Sequence, residues 1–218
     1  MNIRIVVADD HAIIREGLGV MLTNQPDMEV VGIAENGREA IRLVDEHEPD
    51  VAVMDISMPL LNGIEAIQQI LPRHPDIKVI VLSIHATKPY VYHALKVGAT
   101  GYLIKKESTG REVVEAVRAV YRGERYLSRR IADLLTDVSF QQYETSFELS
   151  PLEKLSARER EILQLVAEGR TSQQIAESLS ISPKTVDTYR SRLMHKIGVE
   201  DVAGLVRFAI QHEVISLE

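Results

Sequence analysis

Residues 3–10, Ile3-Arg-Ile-Val-Val-Ala-Asp9-Asp10, form a β-branched run that closes on two carboxylates. Further runs of this kind lie at 28–34, 51–54, 78–82 and 101–104. Between them are stretches with helical periodicity at about 11–24, 37–48, 62–73, 87–97 and 108–122. Strand–helix alternation predicts a mostly parallel sheet with helices on both faces. Several runs are continuously apolar, as strands covered on both faces require. Five such units in residues 1–122 predict a flavodoxin-like α/β domain, a parallel five-stranded sheet of order 2-1-3-4-5.

In open sheets of this type ligands bind at the carboxyl ends of the strands, beside the point where strand order reverses. Strand 1 ends in Asp9-Asp10, strand 3 in Asp55, strand 4 in Ser83 and strand 5 in Lys105. Strand 2, away from the reversal, ends in Ala34-Glu35. Three carboxylates, a hydroxyl and an ammonium are thus expected on one edge. Burying the carboxylates uncompensated is costly. Mg²⁺ relieves the repulsion, since it takes carboxylate, phosphate and water oxygens. A lysine opposite it suits a phosphoryl group, and the remaining carboxylate can be the nucleophile. Taken singly, Asp9 and Asp10 are favourable charges at a helix start. Asp55 is a turn or cap residue, and Lys105 a solvated cation. Their joint placement at the strand ends favours a phosphoryl site. Asp50 precedes strand 3 and belongs at the opposite edge. His11 is expected to be a partly exposed helix residue and not a metal ligand.

Residues 123–151 read as a linker with a partial helix, amphipathic over 128–138 and polar over 139–146. From Ser156 onward no strand is evident. Ser156 and Glu159 offer a capping box for a helix ending near Gly169. A second helix spans about 171–179, and Ser182 with Pro183 starts a third that runs to Gly198. A fourth occupies about 200–213, so residues 152–218 form a small all-α domain.

On the third helix Val186, Leu193 and Ile197 fall on one side. Lys184, Thr188, Ser191 and His195 fall on the other. Lys184, Arg190, Arg192 and Lys196 oppose one acid, Asp187. A helix with short polar residues flanked by Arg and Lys suits a DNA major groove. The formal net charge of −7 conceals this local basic footprint. There is no cysteine, which excludes disulfides and thiolate chemistry. No apolar run approaches a membrane span of roughly 20 residues, so no membrane partner is expected. The N-terminus lacks a signal-peptide layout, on which a cytoplasmic location is expected.

Asp9-Asp10, Asp55-Ile-Ser-Met-Pro59 with Gly63, Ser83, and Gly101-Tyr-Leu-Ile-Lys105 resemble the receiver domain of bacterial two-component response regulators. The resemblance implies that Asp55 is the phosphoacceptor. It implies that Asp10, Asp55 and the Ser57 carbonyl ligate Mg²⁺, with Asp9 acting through water and Lys105 pairing with the phosphate. Ser83 and Tyr102 would be the switch pair, the hydroxyl moving to the phosphate and the ring following inward. Ile84 stands where many receivers have a small residue, which implies altered phosphorylation or hydrolysis rates.

The stretch Leu155-Ser-Ala-Arg-Glu159 through Ser182-Pro-Lys-Thr-Val186 to Lys196-Ile-Gly-Val199 resembles the LuxR-type helix-turn-helix domain. With the receiver, the whole is similar to the NarL/LuxR family of response regulators. The resemblance implies base-edge contacts from Asp187, Thr188 and Ser191. Phosphate contacts would come from Lys184, Thr185, Arg190, Arg192 and Lys196. Asp187 departs from the lysine often found at its position. It either accepts a hydrogen bond from cytosine N4 or only pairs with Arg190 or Arg192. Val202, Leu205, Val206 and Ala209 form a stripe that is part core, and the resemblance implies a dimer contact on DNA.

The expected partners are a cognate sensor histidine kinase, double-stranded DNA, a second copy of the chain and RNA polymerase. No enzyme activity is expected beyond phosphoryl acceptance and slow self-dephosphorylation at Asp55. A dehalogenase-like phosphatase would place Asp-x-Asp at the end of strand 1, where this chain has adjacent Asp9-Asp10. The other rival is a regulator acting by protein contact or by phosphorylation-independent dimerisation. Salt dependence of DNA binding separates it from a DNA reader.

Overall fold

The computed structural model describes residues 2–137, 151–212 and 214–215; the polar run expected at 139–146 lies outside them. The chain forms two compact units, Met1–Gln141 and Gln142–Glu218.

The first unit alternates β1 (Ile3–Ala8), α1 (Ala12–Thr23), β2 (Met28–Ala34), α2 (Gly37–His47), β3 (Val51–Met54) and α3 (Gly63–Ile70). It continues with β4 (Lys78–Ser83), α4 (Lys88–Lys96), β5 (Gly101–Ile104), α5 (Gly110–Tyr121), β6 (Tyr126–Leu127) and α6 (Arg129–Thr136). The strands are parallel and ordered β2-β1-β3-β4-β5-β6. Helix starts follow side-chain caps. Asn36, Asn62 and Thr109 accept from the backbone N–H groups of Glu39, Glu65 and Glu112 at the starts of α2, α3 and α5. Ile5, Val7, Val53, Ile80, Leu82 and Leu103 from the sheet meet Leu22 of α1 and Val117 and Val120 of α5 in one buried core. Each such side chain contributes roughly 1.5–3 kcal/mol by leaving water.

The expected order of five strands is found, and a sixth is added. Gly101 pairs with Tyr126 and Tyr102 with Leu127. Ser128 N donates to Tyr102 O at 3.0 Å, and Ile131 of α6 is fully buried. Residues expected to begin the linker are therefore built into the first unit. A two-residue strand has no periodicity to announce it. Asp50 lies at the amino edge as expected, its Oδ2 accepting from Arg4 N at 2.8 Å.

The second unit has a 3₁₀ turn (Pro151–Lys154) and helices α7 (Ala157–Ala167), α8 (Ser172–Leu179), α9 (Pro183–Ile197) and α10 (Val202–Gln211). Ser156 and Glu159 form the expected capping box, and Thr171 with Gln174 forms another at α8. Between α8 and α9 the chain turns through Ser180 at φ 53°, and Ser182 Oγ accepts from Thr185 N at 3.1 Å. Gly198 ends α9 in the left-handed region at φ 72°. Ile162, Leu163, Ile175, Val186, Leu193 and Leu205 are fully buried and form the core of this unit.

Candidate functional site

Backbone pairing aligns the strand ends. Asp9 N donates to Ala34 O at 3.1 Å, Asp55 N to Ala8 O at 2.8 Å, and Lys105 N to Ser83 O at 2.9 Å. The side chains leaving those positions meet. Lys105 Nζ lies 2.7 Å from Asp9 Oδ2 and 2.7 Å from Asp55 Oδ2. The three side chains are only 6%, 2% and 2% exposed. Asp55 Oδ1 accepts from Ile56 N at 2.7 Å. Burial pushes the Asp55 carboxyl up to about 6, with the Asp9 charge adding to the rise and Lys105 opposing it.

Asp10 is one quarter exposed, and the ligand atoms of Asp9, Asp10, His11 and Asp55 lie within 4.8 Å of one another. Arg15 Nη1 donates to the backbone oxygens of Asp9 and Asp10 at 2.7 and 3.1 Å, which fixes the turn that carries both carboxylates. His11 occupies the N-cap position of α1 without a side-chain capping bond; its side chain is 51% exposed and its Nδ1 lies 2.7 Å from Asp10 Oδ1. Gly63 closes the other side. Its N–H donates to Ile56 O at 2.8 Å, and an added Cβ would stand 1.9 Å from Asp55 O, so only glycine fits. Leu60, in the same loop, is held in the left-handed region at φ 69°, a strain of about 1–2 kcal/mol. The carboxylate cluster is a hard oxygen donor set suited to a small divalent cation.

Ser83 and Tyr102 are both fully buried. Tyr102 OH donates to His85 O at 2.8 Å, and Ser83 Oγ accepts from His85 N at 3.2 Å. The ring expected to travel inward is inward in this structure, because its hydroxyl finds a carbonyl there. His85 was not anticipated, since a lone histidine in a loop carries no signal. Its ring stacks on Tyr90 at 4.1 Å and its Nε2 lies 2.9 Å from Ser57 Oγ. It thereby joins the β3–α3 loop to the β4–α4 loop. Ile84 is 47% exposed.

In the second unit α9 buries Val186 and Leu193 and presents Lys184, Asp187, Thr188, Ser191, Arg192 and Lys196 to solvent, with Thr185 and Arg190 half-buried. Thr188 Oγ1 donates to Lys184 O at 2.9 Å, and the Thr185 hydroxyl lies 2.8 Å from Ser182 Oγ. Lys196 Nζ is 2.7 Å from Glu159 Oε2, a carboxylate only 5% exposed. Lys196 therefore holds α9 to α7, a role the surface reading of its charge missed. Asp187 Oδ1 accepts from Ser172 Oγ at 2.7 Å and lies 4.0 Å from Arg190 Nη1.

The stripe on α10 needs correction as a dimer surface. Leu205 and Ala209 are fully buried within the unit and cannot face a second copy. Val202 is 39% exposed and Val206 half-buried, leaving these two for any external contact. Four residues at helical spacing share one stripe, and only the packing of α10 on α7 divides it.

Residues 5–118 match the response regulator receiver domain, and residues 153–209 match the luxR family of bacterial regulatory proteins. The transcriptional regulatory protein DegU of Brevibacillus brevis is 39% identical over 215 residues, covering 92% of this chain and 89% of its own. The oxygen regulatory protein NreC of Staphylococcus epidermidis is 38% identical, covering 97% and 99%. Among solved structures, a complex of the two-component response regulator RcsB with DNA superposes with a TM-score of 0.58 at 26% identity, covering 95% of this chain and 98% of that one.

Proposed function

The chain belongs to the NarL/LuxR family of two-component response regulators, a receiver domain joined to a LuxR-type DNA-binding domain in a regulator of transcription, and on that premise we propose that phosphorylation of Asp55 in the presence of Mg²⁺ controls its DNA binding. The observation that carries this reading is the buried meeting of Asp9, Asp55 and Lys105, with Nζ 2.7 Å from both carboxylates.

Asp10, Asp55 and the Ser57 carbonyl would hold the cation directly, and Asp9 through water. Bound Mg²⁺ would neutralise oxygens of the incoming phosphoryl group and of Asp55. The Asp55 carboxylate attacks phosphorus, and the leaving group of the donor, a phosphohistidine or acetyl phosphate, departs with the bonding pair. Lys105 already bridges two carboxylates, so it is placed to turn to the phosphoryl oxygens. Ser83 would give its hydroxyl to the same group. A shift of Ser83 Oγ toward that group would pull on the His85 N–H that donates to it, and so on the residue whose carbonyl holds Tyr102 OH. That local change is the route by which the charge on Asp55 would bias the β4–α4 and β5 face.

Output would come from α9, with Lys184, Thr185, Arg190 and Arg192 on phosphates and Thr188 and Ser191 at base edges. Lys196 would contribute while anchored to Glu159. RcsB is described as two dimers bound to two parallel DNAs. A second copy of this chain on DNA, through Val202 and Val206, follows by likeness. Two linked modules raise each other's effective concentration. A cognate histidine kinase and RNA polymerase complete the proposed partners, and the cytoplasm the proposed location. Among the described residues no helix is long and apolar enough to cross a membrane. Asp55 would accept and slowly lose its phosphoryl group, with no other enzymatic activity.

The test is intact mass spectrometry after incubating wild type and Asp55→Asn with acetyl phosphate and Mg²⁺. One base-labile phosphoryl adduct on wild type alone supports the reading. An equal adduct on Asp55→Asn overturns the assignment.

A further inference from the structure

Ser172 is the first residue of α8 and stands between two side chains of α9. Its Oγ donates to Asp187 Oδ1 at 2.7 Å and accepts from Arg190 Nη1 at 3.0 Å. The directions are forced. A carboxylate only accepts and a guanidinium only donates, so the hydroxyl spends its one proton on Asp187 and a lone pair on Arg190. Both bonds involve an ionised partner and belong to the stronger class. The Asp187 side chain is 63% exposed and that of Arg190 only 26%. Two residues of α9, the helix proposed to read DNA, are thus tied to the helix that precedes it.

We infer that Ser172 is a positioning residue for sequence reading by α9: it fixes Asp187 so that the carboxylate selects a cytosine edge at one base pair. The inference rests on the DNA-reading function proposed above. A free aspartate next to DNA is repelled by phosphates and turns away. Here Oδ1 is held by the Ser172 hydroxyl, and Arg190 lies 4.0 Å away, so part of the charge is offset before DNA arrives. Oδ2 remains to accept a hydrogen bond. In the major groove cytosine presents the N4 amine as a donor. Guanine N7 and O6 and thymine O4 are acceptors, which a carboxylate repels, and adenine sets the N7 acceptor beside its N6 amine, so it is disfavoured less than these two. Discrimination comes as much from repelling the wrong edge as from bonding the right one. Arg190, held to the same hydroxyl, keeps its remaining N–H groups for an adjacent phosphate oxygen.

The experiment is selection from a random-sequence duplex pool with full-length protein treated with acetyl phosphate and Mg²⁺, for wild type, Ser172→Ala, Ser172→Thr, Asp187→Ala and the double variant Ser172→Ala with Asp187→Ala. Wild type should show a cytosine preference at one position, about tenfold over guanine and thymine and smaller over adenine. Asp187→Ala and Ser172→Ala should each lose it at that position, and the double variant should lose no more than either. Ser172→Thr, which keeps the hydroxyl, should retain it. A merely structural serine would shift affinity for all sequences together and leave the base preference in place. Retention of the preference in Ser172→Ala, or in Asp187→Ala, overturns the inference. If wild type enriches no sequence and its binding does not weaken with salt, the DNA-reading function itself fails, and the inference with it.

Discussion

Replacing Gly63 by alanine tests whether the β3–α3 loop positions Asp55. The new Cβ would lie 1.9 Å from Asp55 O, against the 3.4 Å where ordinary contact begins. The loop must therefore open by about 1.5 Å. Helix α3 cannot yield freely, because Asn62 caps it through Glu65 N and Gly63 N donates to Ile56 O at 2.8 Å. Losing a cap and a hydrogen bond costs about 1 kcal/mol each, and overpacking about 1–3 kcal/mol, so the first unit should lose about 3–5 kcal/mol. A displacement of about 1 Å at a reacting group costs on the order of 10²-fold in rate. Phosphoryl incorporation from acetyl phosphate, followed by intact mass, should slow by that factor in protein shown to be folded by circular dichroism. Gly17→Ala is the control, since a Cβ there meets nothing within 4 Å. It should gain roughly 0.5–1 kcal/mol in mid-helix and keep the wild-type rate. Folded Gly63→Ala with an unchanged rate would refute the idea that the glycine is required to place Asp55.

Lys105→Met leaves Asp9 and Asp55 buried against each other. It should cost about 3–5 kcal/mol in urea unfolding, with Mg²⁺ restoring part of the loss; a change under 1 kcal/mol would contradict the pairing. The raised Asp55 carboxyl, at about 6, has a signed consequence. The native state keeps a proton that the unfolded chain releases near 3.8, so stability falls as pH rises between those values. In metal-free buffer wild type should lose about 2 kcal/mol relative to Asp55→Asn from pH 4 to pH 6, at no more than about 1.36 kcal/mol per unit; parallel curves would count against it. Glu159 is held below the usual carboxylate range by Lys196 and Ser156, which outweigh its burial. Its contribution to the second unit is present above the unfolded value and fades as pH falls through the depressed one. Glu159→Gln should flatten that acid limb in thermal unfolding. Leu205→Ala should destabilise the second unit by about 2–5 kcal/mol. Val202→Ser should stay within about 0.5 kcal/mol and act on cooperativity of DNA binding, which a duplex titration would read.

Much of the receiver was legible because its strands end on chemistry. Asp9, Asp10, Asp55, Ser83 and Lys105 each follow an apolar run, and parallel register carries them to one edge. What was not legible depends on contacts between distant segments. β6 is two residues long and is defined by its partner β5. His85 joins Ser57, 28 residues away, to Tyr102. Lys196 looks like a surface cation until Glu159, 37 residues earlier, is placed beside it. Likewise Val202 and Leu205 are equivalent on a helical wheel, and only the packing of α10 buries one and exposes the other.

The central claim is that the charge on Asp55 sets DNA affinity. The most direct test is the dissociation constant for one duplex, selected from a random pool, measured at fixed salt with and without acetyl phosphate for wild type and Asp55→Asn. Coupling of about 1–3 kcal/mol between the two units predicts wild-type binding tightened by roughly 5- to 150-fold, with Asp55→Asn unmoved. Equal affinity with and without the phosphoryl group, in protein shown to carry it, would contradict the account and leave control to phosphorylation-independent dimerisation.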